Sequence, residues 1–339
     1  MNLNDMKAVA KAMVGNGKGI LAADESSPTI KKRFDTIDTE STEENRRRYR
    51  EMLFTTPGMA DYIGGVILFD ETIRQKTKDG LPFPKYLADL GVVPGIKVDE
   101  GAKPLAGFPG EKITEGLDGL RGRLKEYHDL GARFAKWRAV LTIDEGIPTD
   151  FCLRANAHAL ARYAALCQEA NIVPIVEPEV LMDGDHSIGR CAGVTSRTLE
   201  LVFSELEAHR VALEGIVLKP NMVISGSEAA KRAGPEEVAE ATLDVLKAHV
   251  PAAVPGIAFL SGGQTAEEAT EHLSLMNQMG PLPWDLSFSY GRALQAPALD
   301  AWRGKEAQFK AGQQAFAKRA KLNSLARLGK YETAMETAA

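Results

Sequence analysis

Lys219 is the residue whose position is most informative about chemistry. It ends a short apolar run and directly precedes Pro220, in the segment GIVLKPN at residues 215–221. A lysine at the end of a buried strand loses water on several sides, which destabilises its ammonium form and makes the free amine available as a nucleophile. Such an amine can condense with a ketone to form a Schiff base. An isolated strand-end lysine more often extends its charge into solvent, so the interpretation depends on the residues around it.

Charged residues end several other apolar runs, and their amino and carboxyl groups are those that the same condensation needs. A second lysine, Lys136, would penalise protonation of both amines if it lay near Lys219. Glu177 can protonate the departing hydroxyl as the amine condenses, and general acid help of this kind is worth about 10²- to 10⁴-fold. A structural role, as the partner of Lys136, is also open for Glu177. The run-end residues taken together are Asp24, Lys97, Lys136, Arg138, Glu177, Glu179, Lys219, Ser261 and Arg292.

The runs that carry these residues predict eight β-strands separated by helices. Helical patterns occupy residues 155–169, 195–210 and 235–248, and alternation of strands with helices is typical of a parallel sheet. Eight such units favour an α/β fold of the closed (β/α)₈ TIM-barrel type. An open doubly wound sheet is the alternative, but its G-x-G-x-x-G signature after the first strand is missing. The predicted strands are residues 19–24, 65–70, 95–99, 133–138, 172–179, 216–219, 257–263 and 286–291.

The length of 339 residues fits one barrel with extensions, although two ordinary domains are the alternative. Residues 1–331 are therefore predicted to form a single (β/α)₈ barrel domain with flanking helices. An amphipathic segment at residues 2–14 and a long helical region at residues 296–328 supply the N- and C-terminal additions. Residues 332–339 are small and polar, and we expect a short, mobile C-terminal tail.

Two groups of residues predict phosphate binding at the mouth where the carboxyl ends of barrel strands meet. After the seventh and eighth strands, barrel enzymes often hold phosphate with glycine N–H groups at a helix start, and an arginine can add a bidentate clamp. Two adjacent glycines alone more often make a plain turn. Residues on the opposite side can bind a second phosphate, so a sugar phosphorylated at both ends would span the mouth. The first group is Ser261, Gly262, Gly263, Gly291 and Arg292, and the second is Ser26, Thr29, Lys97 and Arg138.

Composition excludes several other classes of function. A formal net charge of -5 provides no general attraction to nucleic acid or to an anionic membrane. Three cysteines without a C-x-x-C pair indicate free thiols in a reducing compartment, and no apolar segment resembles a signal peptide or a membrane span, so we expect a cytoplasmic protein. The six histidines lack metal-binding spacing, so neither a metal site nor another cofactor is predicted. His186 is expected in an exposed loop.

Eight segments together resemble class I fructose-bisphosphate aldolase over nearly the whole chain, to about Tyr331. Six carry the residues discussed above and two lie between them. They are GILAADES at residues 19–26, TEENRR at 42–47, GGVILF at 64–69, FAKWR at 134–138, VEPE at 176–179, LKPNM at 218–222, FLSGGQ at 259–264 and FSYGRALQ at 288–295.

The resemblance implies metal-independent, reversible cleavage of fructose 1,6-bisphosphate to dihydroxyacetone phosphate and glyceraldehyde 3-phosphate in glycolysis and gluconeogenesis. It implies that Lys219 forms the Schiff base, that Glu177 is the acid and base for carbinolamine chemistry and that Lys136 supports it. Asp24 then handles the proton of the C4 hydroxyl, and Glu179 keeps the lysine network ordered. Ser261, Gly262 and Arg292 match the family's binding of one phosphate, and Ser26, Thr29, Lys97 and Arg138 lie where the family receives the other. The resemblance also implies a homotetramer.

Two departures from the family pattern lead to further expectations. Many members end in a tyrosine that assists proton exchange at C3 of the enamine, whereas this sequence ends Ala338-Ala339. We expect cleavage to survive while that protonation slows or passes to Glu179 or water. Pro28 stands where glycine is more usual, and it is expected to stiffen a phosphate loop at residues 26–29. A transaldolase and a non-catalytic scaffold protein that keeps the barrel are the alternative functions.

Overall fold

The computed structural model describes residues 2–337 and contains a closed barrel of eight parallel strands, as the sequence predicts. The barrel order is β1, β2, β3, β6, β7, β8, β9 and β10, which returns to β1 and excludes the open-sheet alternative. A two-stranded antiparallel hairpin of β4 and β5, which was not predicted, follows β3. The strands are β1 (Gly19–Ala22), β2 (Ile63–Leu68), β3 (Val93–Lys97), β4 (Ala102–Pro104), β5 (Lys112–Thr114), β6 (Phe134–Leu141), β7 (Val173–Val180), β8 (Val217–Leu218), β9 (Gly256–Phe259) and β10 (Asp285–Tyr290).

Helices surround this barrel and extend it at both ends of the chain. Short 3₁₀ helices lie at Leu213–Gly215, Glu306–Gln308 and Thr333–Glu336. The α-helices are α1 (Leu3–Val14), α2 (Ser27–Asp35), α3 (Glu43–Phe54), α4 (Met59–Tyr62), α5 (Asp70–Arg74), α6 (Phe83–Asp89), α7 (Leu120–Asp129), α8 (Asp150–Glu169), α9 (Ile188–Ala208), α10 (Pro235–His249), α11 (Ala266–Gln278), α12 (Arg292–Trp302) and α13 (Phe309–Arg327).

Three predicted helical regions differ from the structure. Helix α8 begins at Asp150 rather than at residue 155, because the side chain of Thr149 caps it by accepting a hydrogen bond from the backbone N–H of Cys152. Helix α9 begins at Ile188 because the side chain of Ser187 caps it by accepting a hydrogen bond from the backbone N–H of Arg190, whereas the prediction began the helix at residue 195. The region 296–328 is two helices rather than one. Arg303 and Gly304 adopt positive φ angles of 47° and 69°, which end α12 before α13 begins.

Helix α1 fills the amino end of the barrel. Its buried residues contact the inward-facing side chains nearest the start of the strands, and a Cβ added to Gly64 of β2 would lie 2.5 Å from the carbonyl oxygen of Ala12. Only glycine permits this close approach of the helix backbone. The result is an apolar plug made of Met6, Ala10, Met13, Val14, Ile20, Ala22, Ile67, Phe134, Val173, Ile175, Val217 and Ala258.

The strands change from apolar to charged along the same inward-facing row. In β7, Ile175 belongs to the plug, and Glu177 and Glu179 follow at spacings of two residues, which keeps them on the inward face. Because Ile175 pairs with Val217 of β8, Lys219 stands at the level of Glu177. The charged residues therefore meet at the carboxyl end of the barrel, one layer above the plug.

The C-terminal segment lies against α13 as far as it is described. Glu336 pairs with Arg319 and accepts a hydrogen bond of 2.9 Å from the hydroxyl of Tyr331, and its backbone oxygen accepts one of 2.7 Å from Lys318. Residues 338–339 of the predicted tail lie outside the described part, and the mobility of residues 332–339 stays a prediction. Within residues 2–337 no helix is both long enough and apolar enough to cross a membrane.

Candidate active site

Two hydrogen bonds to β7 fix the backbone around Lys219. Strand β8 is only two residues long, and the backbone N–H of Lys219 continues its pairing by donating to the carbonyl oxygen of Val176 at 2.8 Å. Two residues later the side-chain oxygen of Asn221 accepts from the N–H of Val180 at 3.1 Å, while its amide donates to Thr195 at 3.1 Å. The segment LKPN therefore holds Lys219 to the strand that carries Glu177.

The carboxylate of Glu177 lies between two buried amines. Its Oε1 is 3.1 Å from Nζ of Lys219 and its Oε2 is 3.5 Å from Nζ of Lys136. All three residues are at most 4% exposed. Lys136 was predicted to lie near Lys219, and the structure places the carboxylate of Glu177 in contact with both amines.

Asp24 is the closest anion to Lys136. Its Oδ2 lies 2.7 Å from Nζ of Lys136. Burial of Asp24 opposes its ionisation, but the charge of Lys136, followed by that of Lys219, holds the pKa of this carboxyl well below its usual range. Burial likewise acts against the charged form of Lys136, and Asp24, Glu177 and Asp99 outweigh it, which raises the pKa of Lys136. These two groups form a buried ion pair at neutral pH.

Asp99 is a member of this network that the sequence argument missed. Its carboxylate is 2.7 Å from Nζ of Lys97 and 3.9 Å from Nζ of Lys136, and it also accepts from the N–H of Arg138 at 3.3 Å. The spacing of Lys97 and Asp99, two residues apart after β3, was the available signal, because alternate residues share one face of an extended chain. Lys97, predicted for phosphate, is therefore already paired with a carboxylate.

Glu179 has a different partner from the one expected. It pairs with Nε of Arg138, and the described residues show it no contact with a lysine. The expectation that Glu179 orders the lysine network through direct contact with a lysine is therefore wrong. It neutralises the arginine that was predicted to receive phosphate.

The residues after β9 and β10 that were predicted to bind one phosphate lie close together. Gly262 and Gly263 adopt positive φ angles of 54° and 87°, and a Cβ on Gly263 would lie 3.7 Å from Nη2 of Arg292. Arg292 is exposed and has no carboxylate partner among residues 2–337. Helix α12 begins at Arg292 with Gly291 as an N-cap that makes no side-chain bond, which leaves its first N–H groups available.

Helix α11 does not offer the same arrangement. Its N-cap, Thr265, forms a capping box with Glu268, so these two side chains already satisfy the end of that helix. Of the two helices that follow β9 and β10, only α12 therefore has a start that fits the predicted binding of phosphate by backbone N–H groups. Ser261, which is buried, and the backbone of Gly262 and Gly263 provide the contacts that follow β9.

Residues 26–29, predicted as a phosphate loop stiffened by Pro28, form the start of a helix. Ser26 is the N-cap of α2 and Pro28 lies in its first turn, where the missing N–H of proline costs no hydrogen bond. The hydroxyls of Ser26 and Thr29 are 3.1 Å apart. One turn further along α2, Arg33 also lines the cavity and pairs with the buried Glu25. Arg33 was not predicted because its spacing of seven residues from Ser26 places the two on one face only if the segment is a helix.

All fourteen predicted site residues line one cavity of about 690 Å³ at the carboxyl end of the barrel. Six acidic and six basic side chains line it, so anion binding has to come from local arrangement rather than from net charge. The predicted residues in the lining are Asp24, Ser26, Thr29, Lys97, Lys136, Arg138, Glu177, Glu179, Lys219, Ser261, Gly262, Gly263, Gly291 and Arg292.

His186 was predicted in an exposed loop and is buried instead. Its carbonyl oxygen accepts from the N–H of Gly226 at 2.8 Å, which joins the segment after β7 to the segment after β8. A Cβ on Gly226 would lie 2.2 Å from the carbonyl oxygen of Gly184, so the two segments are in close contact. Burial lowers the pKa of His186.

The arrangement is chemically suited to condensing an amine with a ketone. It offers a buried primary amine, a carboxyl group in contact with it, and a second carboxylate held by a second ammonium. Arg292 and the uncapped start of α12, which were predicted to bind a phosphate, line the same cavity.

Comparison with known proteins agrees with this chemistry. Residues 5–339 match the family model described as fructose-bisphosphate aldolase class-I. A probable fructose-bisphosphate aldolase class 1 of Xanthomonas campestris pv. campestris is 60% identical over 333 residues, which cover 98% of this chain and all of the relative. Fructose-bisphosphate aldolase 6, cytosolic, of Arabidopsis thaliana is 56% identical over 317 residues, or 93% of this chain and 88% of the relative.

A solved structure matches the barrel closely. Fructose-bisphosphate aldolase from Plasmodium falciparum, solved with TRAP and a small-molecule inhibitor, superposes with a TM-score of 0.96 at 50% sequence identity. The match covers 97% of this chain and 96% of that chain.

Proposed function

Because this chain belongs to the class I fructose-bisphosphate aldolase family, we propose that Lys219 is the residue that forms the Schiff base of its reaction. The protein is a fructose-bisphosphate aldolase, a lyase of glycolysis. The observation that carries the proposal is the contact of 3.1 Å between Nζ of Lys219 and Oε1 of Glu177, two buried side chains that line the cavity.

The Lys219–Glu177 contact provides both groups that the condensation needs. Transfer of one proton from the ammonium of Lys219 to Glu177 yields a free amine and a carboxylic acid. The amine attacks the C2 carbonyl of fructose 1,6-bisphosphate, and the acid then protonates the hydroxyl of the carbinolamine so that it leaves as water. Lys136, 3.5 Å from the other oxygen of Glu177, stabilises the carboxylate that this step regenerates.

Cleavage of the C3–C4 bond needs a base for the proton of the C4 hydroxyl. Asp24 is that base in our proposal, since its carboxylate stays ionised beside Lys136. The electrons of the broken bond move into the iminium group and form an enamine, while the aldehyde leaves as glyceraldehyde 3-phosphate. Protonation of the enamine at C3 and hydrolysis then release dihydroxyacetone phosphate and restore Lys219.

Unequal pairing of the cations supports different roles for the two phosphate sites. Arg292, the N–H groups of Gly262, Gly263 and the start of α12, and the Ser261 hydroxyl form the stronger site, because this arginine has no carboxylate partner in residues 2–337. At the other site Lys97 and Arg138 each hold a carboxylate. Ser26, Thr29 and Arg33 of the α2 region complete it, and a phosphate there would share these cations with the acids.

Assembly and location follow from the family in the same proposal. We infer a homotetramer in the cytoplasm, and the name of the Arabidopsis thaliana relative, a cytosolic aldolase, supports that location. Sedimentation of the purified protein at several concentrations tests the assembly, since a species with the mass of one or two chains at all concentrations would contradict a tetramer.

Reductive trapping tests the assignment of Lys219. Borohydride added together with dihydroxyacetone phosphate is expected to reduce the Schiff base, attach a three-carbon phosphate to the peptide that contains Lys219, and abolish cleavage. The same treatment of Lys219→Ala is expected to leave the protein unlabelled. A label on Lys136 would overturn the assignment, and an active enzyme that remains unlabelled would overturn the Schiff-base mechanism. A scaffold protein without catalysis would show neither turnover nor label.

A further inference from the structure

A second cluster of chemically active side chains lies outside the barrel, between two neighbouring helices. His158 stands on α8, Glu205 stands near the end of α9, and His209 is the residue that ends α9. One ligand atom from each of these three side chains lies within 4.8 Å of the other two. Glu205 and His209 are four residues apart and share a helix face, whereas His158 is 47 residues from Glu205 along the chain. The sequence spacing therefore relates only two of the three residues.

The distances within the cluster are close to those between ligands of a single ion. Nδ1 of His158 is 3.1 Å from Oε2 of Glu205, and one ligand atom of each of the three side chains lies within 4.8 Å of the other two. Ligands about 2.0–2.2 Å from a tetrahedral zinc ion are about 3.3–3.6 Å apart, so rotation of these side chains can bring all three onto one ion. Imidazole nitrogen with carboxylate oxygen is a ligand set that suits zinc and the neighbouring divalent transition metals.

The ring of His209 is already oriented by a hydrogen bond. Its Nδ1 lies 2.8 Å from the backbone carbonyl oxygen of Glu205. A carbonyl oxygen only accepts, so the nitrogen that makes this bond carries the proton and the lone pair is on Nε2. Metal-binding histidines commonly donate their second ring nitrogen to a backbone carbonyl in this way.

The surroundings leave room for solvent ligands. The side chains of His158, Glu205 and His209 are 52%, 30% and 23% exposed, so an ion can reach them directly. Beside His209 is a cavity of about 330 Å³ lined in part by Leu117, Leu120 and Arg162. Three protein ligands and one or more waters would complete the coordination.

We propose that His158, Glu205 and His209 form a binding site for one zinc-class divalent ion, which joins α8 to α9. These helices follow β6 and β7, the strands that carry Lys136 and Glu177, so the ion stabilises the outer wall behind the catalytic strands. The site is separate from the aldolase chemistry and takes no part in it. Because the ligands bind the ion in their deprotonated forms, zinc affinity falls as the pH falls.

Calorimetric titration of the full-length, tag-free protein with Zn²⁺, after treatment with EDTA and removal of the chelator, tests the proposal. One equivalent per chain is expected to bind, and His158→Gln and His209→Gln are each expected to weaken binding by at least about tenfold. Zinc should raise the Tm of the wild type and leave that of His158→Gln unchanged, since an ion bound only by the folded state stabilises it. Replacing zinc by Co²⁺ should give the visible absorption of a low-symmetry site in the wild type only.

His249→Gln is the matched control, because it removes a histidine from the end of a different helix, α10. It is expected to bind zinc as the wild type does. Cleavage of fructose 1,6-bisphosphate should be the same in wild type, His158→Gln and His209→Gln, which also shows that the variants fold. The proposal is overturned if the wild type binds no single equivalent, or if the two ligand variants and the control weaken binding to the same extent.

Discussion

The two ends of the barrel are built from the same strands and differ in nearly every physical property. At the amino end, α1 fills the interior with apolar side chains, and its backbone lies against Gly64. At the carboxyl end the interior opens into a cavity of about 690 Å³ lined by charged groups. The change takes place within a few residues of each strand, as from Ile175 to Glu177 in β7.

This difference separates the source of stability from the site of chemistry. Burial of apolar groups and close packing stabilise the amino end. The carboxyl end buries several charges, whose desolvation costs free energy that ion pairs return only in part. Pairs such as Asp24 with Lys136 are therefore explained better by chemistry than by stability. Substitutions at the amino end should therefore change stability without changing the rate of the folded enzyme.

Lys219→Ala should have the largest effect on the rate. Loss of the proposed nucleophile is expected to lower kcat by at least about 10⁴-fold, as removal of a covalent catalyst commonly does. The fold should persist because Glu177 keeps Lys136 as its partner. Steady-state assays and far-UV circular dichroism measure the two effects. Lys103→Ala, at an exposed position in the β4–β5 hairpin, is the control and should retain the wild-type rate. A substantial rate in Lys219→Ala would contradict the role of this amine.

Asp24→Asn should lower both the rate and the stability. Removal of the proposed base is expected to reduce kcat by about 10²- to 10⁴-fold. The amide leaves the buried Lys136 without its closest anion, so the free energy of unfolding should also fall. Asp89→Asn, which breaks an exposed pair with Lys85, is the control and should cost only about 0.3–0.5 kcal/mol. Equal effects of the two substitutions would show that the pair at the mouth has no special role.

The stability difference between wild type and Asp24→Asn should depend on pH in a defined direction. The pKa of Asp24 is depressed in the folded protein, so its contribution is present above the unfolded value of about 3.9 and is lost as the pH falls through the lower folded pKa. Urea unfolding should therefore show a constant difference from about pH 5 to pH 8 and a shrinking one below about pH 4. A difference that grew on acidification would contradict this sign.

Gly64→Ala should act at the opposite end and have the smallest effect on the rate. The added Cβ would lie 2.5 Å from the carbonyl oxygen of Ala12 and 2.7 Å from that of Met13, so α1 must shift, at a cost of about 1–3 kcal/mol. The kcat of the folded protein should not change. Gly122→Ala is the matched control, because its Cβ would meet no atom within 4 Å in helix α7, and it should stabilise by about 0.5–1 kcal/mol. The same sign for both substitutions in urea unfolding would contradict the plug.

Much of this architecture could be predicted from the sequence, because it depends on the periodic recurrence of apolar runs and on the residues that follow each run. The eight apolar runs identified the eight barrel strands, and the polar residues that follow them line the mouth. The hairpin was missed because strands of three residues contain too little periodicity to be recognised. The start of α9 was missed because Ser187 lacks the acidic partner of a capping box, whereas the threonines further on resembled a cap.

Partner choice within the site could not be predicted. The sequence placed Glu179 among the lysines and Arg138 on a phosphate, whereas the two side chains pair with each other. Their strands are neighbours and one-dimensional spacing does not say which charges across a closed barrel meet. Arg33 was missed for a related reason, since its side chain belongs to the site only once the helix around it has formed. Asp99 was overlooked although it lies within the predicted strand at residues 95–99, on the same face as Lys97.

The proposed reaction begins when the amine of Lys219, in contact with Glu177, attacks the ketone of the substrate. A crystal structure of the enzyme soaked with dihydroxyacetone phosphate and flash-cooled during turnover tests it most directly. Continuous electron density is expected from Nζ of Lys219 to C2 of the ligand, with a carboxylate oxygen of Glu177 in hydrogen-bond contact with the reacting centre. Density that joins the ligand to Lys136, or an ordered ligand without a bond to Lys219, would contradict it.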